Sequence, residues 1–319
     1  MTFSTSNFRP RTPWSWTAWT AAALALVFAA DRLLLSIYRH PTPQQAEAAR
    51  LDDGTRIIFM GSSRTQTNID PLLFADRASN VSDAGLVFYF MEPLATRLME
   101  RARNLKFLVI ELTLESLVFT YDPAAQKFSR SMAPFGITNG DYAQDAAPFS
   151  DAWWRQVLPG IFTYRLTPRL FFADSVFASS STPYASGHLP LNRMLRPEED
   201  LIMLRSKLQG VEESRVKYGT AANEKALLAI LASAKRRGVT VILLRHPLHR
   251  QYAAETPVAW IKAMDAALEL AVRRSLITPA QIIDDRSVFD GQDQYFADME
   301  HLNKEGAKVF SRLLQQQVN

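Results

Sequence analysis

The chain has 319 residues, 47% of them hydrophobic, which suits one large or two small domains with a substantial core. Its 36 Lys and Arg against 32 Asp and Glu leave a net charge of +4 on scattered side chains, so there is no nucleic-acid footprint. Cysteine is absent, which excludes disulfides, thiolate catalysis and thiolate metal sites.

From Trp14 to Ala30 the only polar residues are Ser15, Thr17 and Thr20. A membrane span needs about 20 apolar residues, so this run is slightly short unless it extends past Asp31 and Arg32 to Leu33-Leu34-Leu35. Arg9 and Arg11 precede it, and Trp14, Trp16 and Trp19 suit an interface. The expectation is a cytoplasmic tail and single membrane anchor within 1–37, with the remaining chain outside the cytoplasm. A cleaved signal peptide fits less well, because bulky residues follow the run where small-x-small is needed. A buried helix of a soluble domain is the remaining alternative. Residues 38–54, with His40-Pro41-Thr42-Pro43, read as a linker.

Strand and helix patterns then alternate over 55–319. Arg56 to Met60 is a short apolar strand that breaks into Gly61-Ser62-Ser63-Arg64. Asp70-Pro71 is a helix start, with an N-cap followed by proline at the first helical position. A second strand or strand end is expected within Asn80 to Val87, a helix over Glu92 to Arg103, and a buried third strand over Leu105 to Leu112. Ala221 to Arg237 is an amphipathic helix stopped by Gly238. A fourth strand at Val239 to Leu244, a helix at Pro257 to Arg274, a fifth strand at Gln281 to Asp284 and a helix at Lys304 to Gln315 complete the order. Strands separated by helices predict an α/β fold, a parallel sheet covered on both faces. Ligands in such sheets bind beyond the carboxyl ends of the strands.

Residues 116–220 are longer than a connection should be and read as an insertion. Trp153-Trp154, Phe162, Tyr164, Phe171-Phe172 and Ser179-Ser180-Ser181-Thr182-Pro183 fall in it. These aromatics suit either the insertion's own core or a platform for sugars, membrane or a partner.

A serine hydroxyl becomes a useful nucleophile only beside a base. The chain has five histidines: His40, His188, His246, His249 and His301. His40 is in the linker and His188 in a loop of the insertion. His246 and His249 follow the fourth strand, where they could contact substrate or cap the strand end. Their spacing is ligand-like, but Pro247 intervenes and no carboxylate cluster adjoins, so no metal is expected. Gly-rich phosphate loops are absent and no cofactor is implied. His301 alone has an acid three residues earlier, in Asp298-Met299-Glu300-His301-Leu302-Asn303. With Gly61-Ser62-Ser63 at the other end of the chain, this block supplies nucleophile, base and orienter.

These residues carry a resemblance. A Gly-x-Ser block after the first strand and a C-terminal Asp-x-x-His block resemble the SGNH/GDSL hydrolase superfamily, over about residues 55–115 and 225–319. The stretch Gly61-Ser62-Ser63-Arg64 to Asn68-Ile69-Asp70-Pro71 is similar to a membrane-anchored branch. That branch accompanies cell-surface polymer acylation, including alginate acetylation and teichoic acid D-alanylation.

The resemblance implies a three-layer α/β/α flavodoxin-like SGNH fold, with Ser63 rather than Ser62 as nucleophile, His301 as base and Asp298 as its orienter. Ser82 and Gly85, in the partial match Asn80-Val81-Ser82-Asp83-Ala84-Gly85, would supply oxyanion contacts. Apart from the resemblance, Arg64, His246 and His249 are candidates to contact substrate, with strand capping the alternative for the two histidines. The asparagine usual after the third strand is absent from Glu111-Leu112-Thr113-Leu114-Glu115, so one side-chain donor is either missing or replaced, with Thr113 as the candidate.

The expected function is periplasmic acyl transfer at the bacterial inner membrane. The implied partners are an exported polysaccharide acceptor, an acyl donor, a membrane-bound O-acyltransferase, polymer synthesis and secretion components, and the lipid bilayer. An esterase or deacetylase would use the same residues. A non-catalytic carbohydrate-binding or assembly subunit is the third expectation.

Overall fold

A computed structural model of the chain describes residues 13–37, 47–118, 187–218 and 220–318. Five parallel strands form one sheet: β1 (Ile57–Met60), β2 (Ala78–Asn80), β3 (Phe107–Glu111), β4 (Thr240–Arg245) and β5 (Ile282–Asp284). Their spatial order is β2-β1-β3-β4-β5, the order of a flavodoxin-like sheet, and it reverses direction between β1 and β3. Register pairs Met60 with Ile110, and Glu111 with Leu244, so the strand ends that carry the site lie level.

Strand side chains alternate between faces, and both faces are apolar, as a doubly covered parallel sheet requires. Ile58, Met60, Leu108, Ile110, Val241 and Leu243 enter one core. This core is filled by α3 (Phe88–Arg101), α6 (Ala221–Arg236) and α8 (Val258–Arg273). Ile57, Phe59, Val109, Ile242 and Leu244 enter the other, against Ala307, Phe310, Leu314 and Val318 of α9 (Lys304–Val318). The result is an α/β/α sandwich.

Several expectations need correction. Of the window Asn80 to Val87, only Asn80 belongs to the second strand, as its end, and α3 begins at Phe88. Asp70-Pro71 opens only a one-turn 3₁₀ segment, Pro71–Leu73, whose first turn Asp70 caps by accepting from the Leu72 N–H at 3.0 Å. Three short helices were not expected: α2 (Ser63–Asn68), α4 (Leu114–Val118) and α7 (Arg250–Glu255).

The supposed insertion also contains framework. The 22-residue helix α5 (Pro197–Tyr218) buries Leu204, Leu208 and Val211 in the first core. Ahead of it, Leu189 N–H donates to the Gln66 carbonyl at 2.9 Å and Leu195 N–H to that of Phe296 at 3.1 Å. The aromatic and Ser/Thr-rich residues between Trp153 and Pro183 lie outside the described residues, as do Arg9, Arg11 and His40.

The 25-residue helix α1 (Pro13–Ile37) lies outside the compact unit that holds the sheet. Among the described residues no helix is long and apolar enough to cross a membrane. The uncharged run within α1 stops at Ala30, where Asp31 and Arg32 follow. Within the run, Trp19, Leu24 and Leu26 are exposed.

Candidate active site

β1 ends at Met60, and Gly61 turns the chain into α2. An added Cβ on Gly61 would stand 2.2 Å from Thr65 Oγ1 and 2.5 Å from Glu111 Oε2, so only glycine fits. Ser62 is the N-cap of α2, and its side chain accepts from the Arg64 N–H at 3.4 Å. Its hydroxyl and N–H both donate to Glu111, each at 2.6 Å. The Thr65 N–H and hydroxyl donate to the same carboxylate at 3.2 and 2.8 Å. One buried acid at the end of β3 therefore holds the whole turn.

Ser63, the first residue of α2, is left facing the C-terminal loop. That loop is a tight reversal: Ala297 N–H donates to the His301 carbonyl at 2.8 Å, and Phe296 bridges to Leu302. Asn303 closes it by capping α9, accepting from Glu305 and Gly306 N–H at 3.1 and 3.0 Å. Leu302 N–H donates to Asn68 Oδ1 at 2.9 Å, which ties the loop to α2.

Ser63 Oγ then lies 2.8 Å from His301 Nε2. His301 Nδ1 lies 2.9 and 3.0 Å from the two oxygens of Asp298. An ionised carboxylate only accepts, so the ring proton sits on Nδ1 and Nε2 is free to accept from the serine. Burial pushes the Asp298 carboxyl up, but hydrogen bonding to His301, the imidazolium charge and the N–H groups of Glu300 and His301 outweigh it, holding the group at about 2. Asp298 thus stays charged in any ordinary buffer. Ser63, His301 and Asp298 therefore form one hydrogen-bonded relay.

Beside this relay, Thr65 Oγ1 lies 2.9 Å from His246 Nε2. The Thr65 proton is committed to Glu111, so His246 must donate from Nε2, leaving Nδ1 buried with no partner among the described residues. Burial drives His246 down to about 4, against the pull of Glu111 and with the Arg64 charge adding to the push. Burial also raises Glu111. Against that, protonated His246, the Arg64 charge and the Ser62 and Thr65 hydrogen bonds bring it below the ordinary carboxylate range.

Arg64 is turned into a buried cluster. Its side chain is 3% exposed and is bound to Glu115, Glu300 and Tyr252. His249 caps α7, accepting from Gln251 N–H at 3.4 Å, and its Nε2 lies 3.2 Å from Asp293. His188 lies on the segment entering α5, with Nε2 3.0 Å from the Thr67 carbonyl.

Of the expected oxyanion donors, the Ser82 and Thr113 N–H groups are engaged, while the buried Ser82 hydroxyl has no partner among the described residues. Ser82 N–H donates to Asn80 Oδ1 at 3.2 Å, and Asn80 Nδ2 donates to the Thr65 and Ile69 carbonyls. Gly85, at φ 78°, belongs to the turn before α3. Thr113 and Ser116 cap each other, Thr113 N–H to Ser116 Oγ at 3.1 Å and Ser116 N–H to Thr113 Oγ1 at 3.2 Å. Thr113 therefore serves the start of α4 (Leu114–Val118).

Comparison with known proteins finds no matching family model and no matching curated protein. Sequence reasoning missed Glu111, Thr65, Glu115, Lys207, Tyr252 and Glu300. The available signal was a charged residue closing an apolar strand run, Phe107-Leu-Val-Ile-Glu111. No local pattern names its partners.

Proposed function

We propose that the chain is an acyl-transfer enzyme of the SGNH type. The observation that carries this reading is the relay Ser63 Oγ to His301 Nε2 at 2.8 Å and His301 Nδ1 to Asp298 at 2.9 Å. Ser63 follows the carboxyl end of β1, beside the switch point between β1 and β3 where doubly wound sheets bind ligands.

In the acylation step His301 takes the Ser63 proton as the oxygen attacks an acyl carbonyl, and Asp298 stabilises the imidazolium. His301 then returns that proton to the leaving group. In the second step an acceptor hydroxyl gives its proton to His301 and takes the acyl group, and Ser63 regains its hydrogen. A sugar hydroxyl as acceptor makes the protein a transferase, and water makes it an esterase with the same residues. The Ser63 N–H is the oxyanion donor, acting without the side-chain amide common in such sites. A single donor costs about a hundredfold or more in rate against a full set, which suits a slow transfer within a held complex.

The resemblance extends the proposal to an exported polysaccharide as acceptor, with the acyl group delivered by a membrane-bound O-acyltransferase. It also places the domain in the periplasm. Membrane attachment is supported by α1, whose Trp19, Leu24 and Leu26 are 75%, 65% and 72% exposed and would be covered by lipid.

The test is release of acetate from p-nitrophenyl acetate, and covalent labelling by a serine-directed phosphonate, by full-length protein in detergent. Wild type should do both and Ser63→Ala neither. If wild type does neither, the catalytic reading fails and a carbohydrate-binding or assembly role replaces it. Recovery of the full chain in the soluble fraction would overturn attachment.

A further inference from the structure

Ser63 and His301 are separated by 238 positions. The residues beside them, Arg64 and Glu300, meet as a buried ion pair at 3.0 Å. Arg64 also forks onto Glu115 of α4, Nη1 to Oε2 at 3.0 Å and Nη2 to Oε1 at 2.7 Å. Tyr252 of α7 joins it, its ring lying 5.2 Å from the guanidinium carbon and its hydroxyl donating to Glu115 at 2.7 Å. Lys207 of α5 completes the cluster, donating to the Glu300 oxygens at 2.5 and 2.6 Å and standing 3.1 Å from Glu115.

Arg64 and Lys207 thus face Glu115 and Glu300, and Glu111 stands 3.9 Å from Arg64 as a third carboxylate. Burying such charges is a poor way to gain stability, since apolar groups of the same shape usually do as well or better. What an apolar cluster cannot do is fix direction. The guanidinium is a planar fork with set bond angles, so each carboxylate it holds is fixed in place as well as in distance.

We infer that Arg64 and Glu300 are positioning residues that set the approach of Ser63 Oγ to His301 Nε2. This deepens the acyl-transfer reading and rests on it. The two backbones that carry nucleophile and base come from opposite ends of the chain, and their separation is fixed one residue away from each. A displacement of about 1 Å between reacting groups costs on the order of a hundredfold in rate. Glu115, Lys207 and Tyr252 join α4, α5 and α7 to the same clamp, so the helices around the site share its alignment. The Arg64 side chain is too enclosed for a substrate-binding role to explain it.

Glu300→Gln and Arg64→Lys in the full chain are the test, with Leu98→Ala as control. Leu98 is fully buried near the end of α3 that leads to the start of β3, at the opposite edge of the sheet. Phosphonate labelling is followed well below each protein's thermal midpoint. Both clamp variants should label about thirtyfold or more slowly than wild type, while Leu98→Ala, with a midpoint lowered at least as far, should label at the wild-type rate.

With 15N-histidine, the His301 ring signals should shift in Glu300→Gln while those of His249 stay fixed. Glu300→Gln labelling at the wild-type rate, or Leu98→Ala slowing as much, would overturn the inference. If wild type itself does not label, the acyl-transfer reading falls and the ring signals alone decide the clamp: unmoved His301 signals in Glu300→Gln sink it.

Discussion

Glu111 takes both protons that Ser62 can offer, its amide and its hydroxyl, each at 2.6 Å. Of two adjacent serines, one is thereby spent on holding the turn and the other is presented to His301. The choice between Ser62 and Ser63 is made by a carboxylate 49 positions away in the chain.

Ser63→Ala and Ser62→Ala should therefore fail differently. Ser63→Ala should abolish phosphonate labelling and leave the thermal midpoint nearly unchanged, because only the hydrogen bond to His301 is lost. Ser62→Ala should still label, more slowly, and unfold with about 1–3 kcal/mol less stability, since the buried Glu111 carboxylate loses a donor. Urea titration together with labelling separates the two. Equal labelling loss in both would contradict the assignment.

Gly61→Ala places a methyl group within 2.5 Å of Glu111 and closer still to Thr65. Neither neighbour can yield without breaking the bonds that hold the turn, because Thr65 and Glu111 are both buried. The expected cost is about 1–3 kcal/mol, the usual range for an overpacked interior. Labelling should fall with it, since the displaced element carries Ser63. A crystal structure of the variant with the turn unmoved would refute the account.

His246 makes stability fall in mild acid. Its folded value is about 4 against an ordinary 6.5, so the unfolded chain takes up a proton that the folded protein refuses. The contribution is fully present above pH 6.5 and is lost as pH falls toward 4, by about 3 kcal/mol for this fully buried ring. Glutamine can keep the donation to Thr65 but cannot titrate. Denaturant unfolding at pH 7, 5.5 and 4 should show His246→Gln losing less stability than wild type over that range. Parallel curves for the two proteins would show that this ring is not the titrating group.

The sheet was readable where burial wrote continuous apolar runs. Ile57–Met60, Phe107–Glu111 and Thr240–Arg245 lie inside the expected strands or within a residue of them. The three-residue β2 was misplaced because Ala78-Ser79-Asn80 has no apolar run at all, and pairing with β1 alone makes it a strand. Helix α2, Ser-Arg-Thr-Gln-Thr-Asn, was missed because it has no apolar stripe, and bonds to Glu111, Glu115 and His246 hold it instead. Helix α5 had a legible signal, Pro197 followed by Glu198, Glu199 and Asp200, with Leu204, Leu208 and Val211 one face apart. Reading 116–220 as one insertion hid it. Ser63, Asp298 and His301 could be singled out because the chain has only five histidines, one of which follows an aspartate by three residues, and a Gly-x-Ser block closes the first strand. The network behind them could not, since an arginine and a glutamate 236 positions apart have no local pattern.

Asp298→Asn tests the relay more sharply than removing the side chain. Asp298 Oδ1 accepts from the Glu300 and His301 N–H groups at 2.8 and 2.9 Å, and the asparagine carbonyl can keep both bonds. Its amide would then present N–H groups to His301 Nδ1, where the acid presented only acceptors. The ring answers by moving its proton to Nε2, so Nε2 can no longer accept from Ser63. The loop should keep its shape while acyl-ester turnover falls by about a thousandfold or more, the scale expected when the orienting acid of such a relay is neutralised. Asp298→Ala should lose the loop's internal bonds as well and lower the thermal midpoint further. Nitrogen-15 shifts of the His301 ring report the tautomer directly. A variant ring that keeps its proton on Nδ1 while turnover collapses would mean that Asp298 acts by charge alone.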